Sequence, residues 1–583
     1  MTDIHLPDIF EGTVIRRGDV NYENGCYQYA SSSYIEEDII RPMAIIKAKN
    51  DNDVIKAIKY ASENKIAVAV RTGGHQYSGA SSTNGKNIQL DLSETYKDFQ
   101  WNNDDCTSVT FGISFSLGDF NAKLREKNRF VPHGQCQYVN LGGHIQTGGY
   151  GQLGRSFGLL SDYIEKFRII TADCKTQWVY RNEDLFFAVL GGSPGNFGVL
   201  THATLNVFRD QDYPNSRGLR AICPYNRDRL KDLLDIMVDM AEDEEFPADY
   251  DYCITVIEDP PFPMSSELTY DQRYNQKGNL EQDVIWTRTI VIFVQWANLQ
   301  GDQQKYNSDF IDKILKTAGI TDENAKDLVI VSDKYHTPIS KLTGDWIVPI
   351  EREFNLPYFK RVYSSNSSSQ RLKKFKWTNW VSDRIDIGYS RNLNLSIQIQ
   401  HFGGSKSRFF QNGKNSSTSL SWRDSNLVCT LDAFYHNHLY KRAKMWVQIN
   451  DNKGVGNPNA KFCEHDRRFL WGSHDLDLSA AQQYYYDNQP EGKYERLCKI
   501  KQNSDPLGVF TPNKFCIGLE GDKSVDSGVR MQPLAGSETA EEDVTFTERQ
   551  KELQPSTEEK FWKMVLMKKE AGKPVLLWDT WRA

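Results

Sequence analysis

The stretch from Arg71 to Gly79, which reads RTGGHQYSG, constrains the fold of this chain more than any other part of its sequence. It follows the apolar run from Ile66 to Val70, which is typical of a β-strand. The adjacent glycines Gly73 and Gly74 have no Cβ, so the backbone can adopt positive φ and approach a bulky ligand closely. The amides of such a loop can also form a concavity that binds an anionic diphosphate. We therefore expect His75, directly after the glycines, to lie against a bound group.

A second glycine-rich stretch runs from Gly134 to Arg155 and reads GQCQYVNLGGHIQTGGYGQLGR. Within it, residues 149–154 match the pattern GxGxxG, and Asp173 follows at about the spacing of the ribose ligand in a Rossmann fold. A nicotinamide-binding fold is therefore an alternative. It requires a β-strand directly before the first glycine, whereas residues 143–148 read GHIQTG and predict no strand. This context argues against a Rossmann domain.

Together the two stretches resemble the berberine bridge enzyme-like flavoproteins of the vanillyl-alcohol oxidase superfamily. The resemblance implies a PCMH-type FAD-binding domain and a bicovalent FAD, attached through His75 to the flavin 8α carbon and through Cys136 to flavin C6. Many family members carry proline after the cysteine, where this chain has Gln137. The implied fold class is α+β, with a two-part FAD-binding domain of the vanillyl-alcohol oxidase type and an α/β substrate domain that contains an antiparallel sheet.

The resemblance also implies which residues surround the cofactor. Most of them belong to the two glycine-rich stretches, and a few come from later segments of the chain. Besides the two attachment residues, the expected cofactor-binding set is Arg71, Thr72, Gly73, Gly74, Ser78, Gly79, Val139, Gly142, Gly143, Gly148, Gly149, Gly151, Gly154, Gly198, Val199 and Asn513. A small β-branched residue at Val139 leaves room for oxygen near the flavin in the resembling family.

Two residues of these stretches are candidates for catalysis. His144 matches a family histidine that lies close to the flavin, where a donor can stabilise the negative charge of the reduced ring. Tyr77 matches a tyrosine on the substrate side. The alternatives are a structural loop histidine at His144 and a surface tyrosine at Tyr77.

The catalytic base is less well defined by the sequence. Many relatives carry a tyrosine just ahead of an Asp-Leu-Asp-Leu-like run, which here is residues 475–478, and Ser473 stands where that tyrosine belongs. A lone serine is a poor base, so His474 is the expected base, with exposure to solvent as its alternative. Gln398 and Gln400 alternate on a predicted strand and share one face. We expect Gln400 to act in catalysis, although a purely structural role for both glutamines stays open.

Length and composition limit the class of protein. A chain of 583 residues is long enough for two domains, and a net charge of -7 argues against nucleic acid as a partner. No apolar run is long enough for a membrane span. The N-terminus has no basic and apolar leader, which predicts a cytoplasmic protein, or a secreted one only if a leader has been removed. The ten cysteines show no zinc-ligand spacing, so no metal is predicted.

The chain divides into four predicted parts. Residues 1–210 form the FAD-binding domain, 211–478 the substrate-binding domain, and 479–518 a segment that returns to the FAD-binding domain. Residues 519–583 form a polar linker and an amphipathic helical tail. The capping box at Ser556 and the apolar stripe that follows predict a helix over 556–572, which docks on this chain or on a partner.

The predicted activity is that of an FAD-dependent oxidoreductase. It transfers hydride from an alcohol or sugar-type small molecule to the flavin, and oxygen is reduced to hydrogen peroxide. The alternatives are an oxidase of alkaloid or polyketide-like metabolites, a flavin dehydrogenase with another acceptor, and a non-catalytic flavin-binding protein.

Overall fold

The computed structural model describes ten stretches of the chain, namely residues 6–29, 40–258, 288–301, 305–346, 357–414, 416–469, 471–473, 492–513, 515–519 and 561–562. Eighteen strands in these stretches form three larger sheets and one two-stranded ribbon. The predicted α+β fold class is confirmed.

The first sheet has four strands in the order β1-β2-β4-β3, and β2, β4 and β3 run parallel. Helix α2 packs on it because Val54, Ala57, Ile58 and Ala61 recur on one face and are fully buried. The Asn50 side chain caps this helix by accepting from the amide of Asp53 at 3.2 Å. The strands are β1 Thr13–Arg16, β2 Ala44–Lys47, β3 Val68–Arg71 and β4 Ile88–Asp91, and α2 is Asp51–Asn64.

A second sheet of five antiparallel strands lies next to the first, in the order β5-β6-β10-β8-β9. A short ribbon pairs β7 with β11. The strands are β5 Phe99–Trp101, β6 Ser108–Gly112, β7 Arg129–Phe130, β8 Ile164–Ile170, β9 Thr176–Tyr180, β10 Val199–Asn206 and β11 Phe208–Arg209. One apolar core unites both sheets.

The third sheet has seven strands in the order β15-β12-β14-β13-β17-β18-β16, and all its pairings are antiparallel. Its strands are β12 Arg217–Pro224, β13 Tyr250–Glu258, β14 Arg288–Trp296, β15 Val329–Val331, β16 Tyr358–Ser365, β17 Asn394–His401 and β18 Leu427–Phe434. Helices cover one face and form a second core with it. The predicted antiparallel sheet is thus confirmed.

The remaining helices connect these sheets or cover them. They are α1 Tyr22–Cys26, α3 Leu117–Arg125, α4 Leu141–Gln146, α5 Gly154–Phe157, α6 Asp184–Val189, α7 Arg227–Glu242, α8 Asp309–Thr317, α9 Ala325–Leu328, α10 Ile339–Trp346, α11 Ser369–Lys374, α12 Trp377–Ser390, α13 Arg408–Lys414, α14 Tyr440–Gly454 and α15 Lys493–Ser504. Among the described helices, none is both long and apolar enough to cross a membrane.

The segment after residue 492 packs on the first core through Leu497, Val509 and Phe510. A fully buried ion pair anchors it: the Lys501 Nζ lies 2.7 Å from Asp505 and also donates to the carbonyl oxygen of Phe510. This placement agrees with the predicted return of the chain to its first domain. The three predicted boundaries between the four parts stay predictions.

Candidate active site

A cavity of about 350 Å³ lies between the two glycine-rich stretches and the uncovered face of the seven-stranded sheet. This volume is within the range of small-molecule sites. Alternate residues of β13, β16, β17 and β18 line it, because successive side chains of a strand point to opposite faces. The first domain therefore supplies loops, and the second supplies one face of its sheet.

Thirteen of the predicted site residues line this cavity. They come from residues 72–77, residues 136–151 and strand β17. The set is Thr72, Gly73, Gly74, His75, Tyr77, Cys136, Val139, Gly142, Gly143, His144, Gly149, Gly151 and Gln400. The fold thus brings both predicted attachment residues to one space.

The end of strand β3 positions His75. Gly74 has a φ of +65°, and its carbonyl oxygen accepts a hydrogen bond of 2.9 Å from the amide of Tyr29. The ring of Tyr29 stacks on the imidazole of His75 with 4.3 Å between their centroids. The glycine turn and the stacked ring together hold His75 at the cavity wall.

Helix α3 positions the loop that carries Cys136. The amide of Gly118 donates to the carbonyl oxygen of Gln137 at 3.0 Å, and the amide of Leu117 donates to Val139 at 2.9 Å. A Cβ on Gly118 would lie 2.5 Å from Cγ of Gln137, so this side chain packs directly on the helix. Gln137, which stands where many family members carry proline, therefore makes a structural contact with helix α3.

The glycines let the two stretches approach each other. A Cβ on Gly73 would lie 3.1 Å from the Asn140 backbone, and one on Gly142 would lie 3.0 Å from the Thr72 side chain. At Gly143, in contrast, a Cβ would enter open space at the cavity. A planar group held between His75 and Cys136 fits these residues, because the backbone at Gly143 leaves room for it.

His144 is held as a neutral ring. The amide of Gly134 donates to its Nε2 at 3.0 Å, and an amide can only donate, so the ring proton is on Nδ1. Burial, with a smaller contribution from the neighbouring His133, lowers the pKa of His144 to about 3. His144 thus brings a hydrogen-bond donor without a charge to the cavity.

The other predicted cofactor residues described here lie outside the cavity lining, and several have structural contacts instead. Arg71 donates to the carbonyl oxygen of Gly25 at 2.8 Å, and Asn513 donates to those of Ala80 and Ser82 at 3.0 and 3.2 Å. A Cβ on Gly154 would meet the Phe402 ring at 2.1 Å. The set outside the lining is Arg71, Ser78, Gly79, Gly148, Gly154, Gly198, Val199 and Asn513. Their roles at the cofactor stay predictions.

The predicted base His474 lies outside the described residues. Its neighbour Ser473 is fully buried, and its Oγ accepts a hydrogen bond of 3.3 Å from the amide of Val362. Ser473 is therefore positioned as a structural residue beside β16.

The sequence interpretation missed an ion pair on the cavity wall. Lys360 of β16 stands directly opposite Asp432 of β18, and its Nζ lies 3.1 and 3.0 Å from the two carboxylate oxygens. The same Nζ lies 4.6 Å from the centre of the Tyr77 ring. No local motif marks the pair, since the two residues are far apart in sequence. The alternating strand pattern becomes informative only after the register is known.

Tyr150 is a second residue that the sequence interpretation missed, although it stands within the glycine-rich stretch. Burial raises the pKa of its phenol, while Lys360 and a hydrogen bond with Thr430 act in the opposite direction. Tyr150, Thr430 and Lys360 all line the cavity. Polar groups of both domains therefore meet at this wall.

The two predicted glutamines lie on the same wall. Gln398 donates to Gln135 at 2.9 Å and to Thr255 at 3.2 Å, which ties the Cys136 loop to the sheet. The Oε1 of Gln400 is buried and has no hydrogen-bond partner among the described residues. Gln400 therefore offers an acceptor to a bound molecule, whereas Gln398 is already engaged.

Comparisons with known proteins agree with an FAD-binding domain in the first part of the chain. Residues 42–180 match the family described as FAD binding domain. An FAD-linked oxidoreductase of Bacillus subtilis, YvdP, is 33% identical over 202 residues, which are 34% of this chain and 43% of that protein. Berberine bridge enzyme-like 19 of Arabidopsis thaliana is 30% identical over 193 residues, which are 30% of this chain and 33% of that protein. Residues 42–180 of this chain therefore form an FAD-binding domain.

The predicted resemblance to berberine bridge enzyme-like flavoproteins is thereby confirmed, and the predicted enzyme class agrees with the names of both relatives. The sequence matches span less than half the length of either one. A solved structure extends the likeness of the fold: glucooligosaccharide oxidase from Acremonium strictum covers 87% of this chain and 97% of its own, with a TM-score of 0.63 and 17% identity. Its description names a 6-S-cysteinyl, 8α-N1-histidyl FAD.

Proposed function

We propose that this protein is an FAD-linked oxidase that removes hydride from a hydroxyl-bearing carbon of a small molecule. The observation that carries the proposal is that His75 and Cys136 line one cavity whose opposite wall is polar. FAD bound there would accept the hydride and pass its electrons to oxygen, which yields hydrogen peroxide. A sugar-type alcohol is the leading substrate class.

His75 and Cys136 would hold the cofactor through two covalent bonds. Support comes from their shared cavity and from the cysteinyl, histidyl FAD named for glucooligosaccharide oxidase. His144 would present its Nδ1–H as a donor near the ring, where such a group stabilises developing negative charge. Gln400 would accept a hydrogen bond from the substrate.

Proton removal from the substrate hydroxyl is assigned to the wall of the substrate domain. Among the described residues that line the cavity, Asp432 is the one carboxylate. Its contact with Lys360 orients it, and Tyr77 lies under the same ammonium group. We propose that Asp432 takes the proton while Lys360 and Tyr77 position it, and that His474 is the competing assignment.

Acid precipitation of the purified protein tests the cofactor assignment. The wild-type pellet should keep its yellow colour, and His75→Ala and Cys136→Ser should each keep flavin through the remaining bond. The double variant should release it into the supernatant. Flavin found wholly in the wild-type supernatant would disprove covalent attachment.

An aromatic substrate is the second candidate. Tyr29, Tyr77, Tyr358, Phe434 and Trp471 line the cavity and could stack on a planar ring. Peroxide release across sugars, simple alcohols and benzylisoquinolines separates the two classes. Dye reduction by one of these compounds without peroxide release would instead favour a dehydrogenase. Neither peroxide release nor dye reduction with any of them would favour a non-catalytic flavin-binding protein.

A further inference from the structure

His133 is a buried histidine next to the site that the reaction above does not use. It is only 2% exposed and lies three residues after the end of strand β7. Its Nδ1 lies 2.6 Å from the carbonyl oxygen of Gly134. A carbonyl can only accept, so Nδ1 carries the proton, and its Nε2 has no hydrogen-bond partner among the described residues.

Gly134 thus contacts two imidazoles. Its carbonyl oxygen accepts from His133, and its amide donates to Nε2 of His144 at 3.0 Å. A Cβ on Gly134 would lie 2.8 Å from Cε1 of His144, so any larger residue would push the ring away from the amide. The backbone at Gly149 lies against the same ring, since a Cβ there would be 3.2 Å from it.

The amide of Gly134 decides which nitrogen of His144 carries the proton. While it donates to Nε2, His144 must present Nδ1–H. Without a fixed Gly134, the ring could exchange its proton between the two nitrogens, and the donor at the cavity would be present only part of the time. Whatever orients Gly134 therefore controls the donor at the cavity.

We propose that His133 is a positioning residue that fixes Gly134 and thereby holds His144 in its Nδ1–H form. Both rings stay neutral under this arrangement, because burial lowers the pKa of His133 to about 4 as well. The effect of His133 on catalysis rests on the proposed function, whereas its effect on the proton position of His144 does not. An experiment can therefore disprove the proposed function and the role of His133 separately.

Three substitutions of His133 in the full-length protein test the proposal. His133→Asn keeps an amide donor near the position of Nδ1, while His133→Leu and His133→Ala remove it. Imidazole ¹⁵N NMR of histidine-labelled protein, assigned with His144→Gln, reads the proton position directly. We expect Nδ1–H for wild type and Asn, and a mixture of both forms for Leu and Ala.

The flavin provides the second readout. The Leu and Ala variants should lower the midpoint potential of the flavin. They should also slow flavin reduction by about fivefold to tenfold, which is the effect of weakening one hydrogen bond. His133→Asn should restore both. In a His144→Ala background, none of the substitutions at position 133 should change them further.

Two results would overturn the proposal. One is an unchanged His144 proton position in the Leu and Ala variants. The other is an equal loss of potential with and without the His144 ring, which would make His133 a general packing residue. If the Leu variant does not fold, the Asn and Ala variants make the same comparison. If wild type holds no flavin, the proposed function fails, while the NMR result still decides the role of His133.

Discussion

At the scale of single residues, the site depends on contacts that only small or uncharged groups permit. Gly134 and Gly149 allow the His144 ring to lie against the backbone, and burial keeps that ring neutral. Glycines in the second stretch therefore allow histidines and loops to pack closely, in addition to leaving room for a ligand. Two residue-scale predictions concern side chains on the cavity wall.

Asp432→Asn should abolish proton removal while leaving the fold intact, because the amide keeps the shape of the carboxylate. We expect kcat/KM to fall by about 10²–10⁴, the usual contribution of a general base. Thr430→Val, on the same strand face, is the matched control, and its kcat/KM should fall much less. An Asn variant with near wild-type turnover would return the role of base to His474.

Val139→Leu should slow reoxidation of the reduced flavin and leave its reduction by substrate unchanged. The added methylene narrows the space at Val139, which lines the cavity three residues after Cys136. Stopped-flow mixing of reduced protein with oxygen measures this step, and Val139→Ala serves as the control. Wild-type reoxidation no faster than that of free reduced flavin would contradict the oxidase assignment.

At the scale of elements, strand register and helix contacts assemble the site. Antiparallel pairing of β16 with β18 sets Lys360 opposite Asp432, and α3 holds the loop of Cys136. A further contact joins the first domain to the sheet. Asp251 of β13 is buried and accepts from the amides of Arg155 and Ser156 on α5 at 2.7 and 3.3 Å.

This contact predicts a pH-dependent contribution to stability. Burial raises the pKa of Asp251 to about 7, against the hydrogen bonds from Ser156 and Arg155. The folded protein therefore keeps a proton that the unfolded chain loses above about pH 4. The contribution of Asp251 to the free energy of unfolding is therefore complete below about pH 4. It falls as the pH rises and reaches its minimum above about pH 7.

Asp251→Asn should remove this fall, because an amide does not titrate. The difference in unfolding free energy between variant and wild type should change by up to about 4 kcal/mol from pH 4 to 7, since each pKa unit is worth about 1.4 kcal/mol. Denaturant melts at several pH values measure it. Parallel pH profiles for the two proteins would show that Asp251 has an ordinary pKa in the folded state.

At the scale of the whole molecule, two apolar cores meet at the cavity, and the C-terminal region reaches both. The segment 492–519 packs on the first core through residues such as Phe510. Of the predicted tail helix, Phe561 and Trp562 are described: Phe561 is fully buried in the second core, and Trp562 packs partly against it. This favours docking on the chain itself, while the contacts of the rest of the tail, like the cytoplasmic location, stay predictions.

Removal of residues 521–583 should therefore preserve covalent flavin but lower stability. Phe561→Ala alone should cost about 3–5 kcal/mol of unfolding free energy, the usual effect of deleting a buried phenylalanine ring. Trp562→Ala, at the partly buried neighbour, should cost less. Thermal melting measures the loss of stability, and acid precipitation measures whether the flavin stays covalently bound. Loss of covalent flavin in the shortened protein would place the tail within the cofactor-binding fold.

The sequence by itself determined the resemblance to berberine bridge enzyme-like flavoproteins, the fold class and the loop positions of His75 and Cys136. These features are local: a glycine pair beside a histidine, and apolar periodicity in segments such as Asp51–Asn64, constrain the nearby backbone directly. Only the tertiary structure decided that Lys360 faces Asp432, that Gly134 lies between His133 and His144, and that Asn513 and Gly154 make structural contacts. Such contacts depend on strand register and chain packing over long separations, which no local pattern encodes.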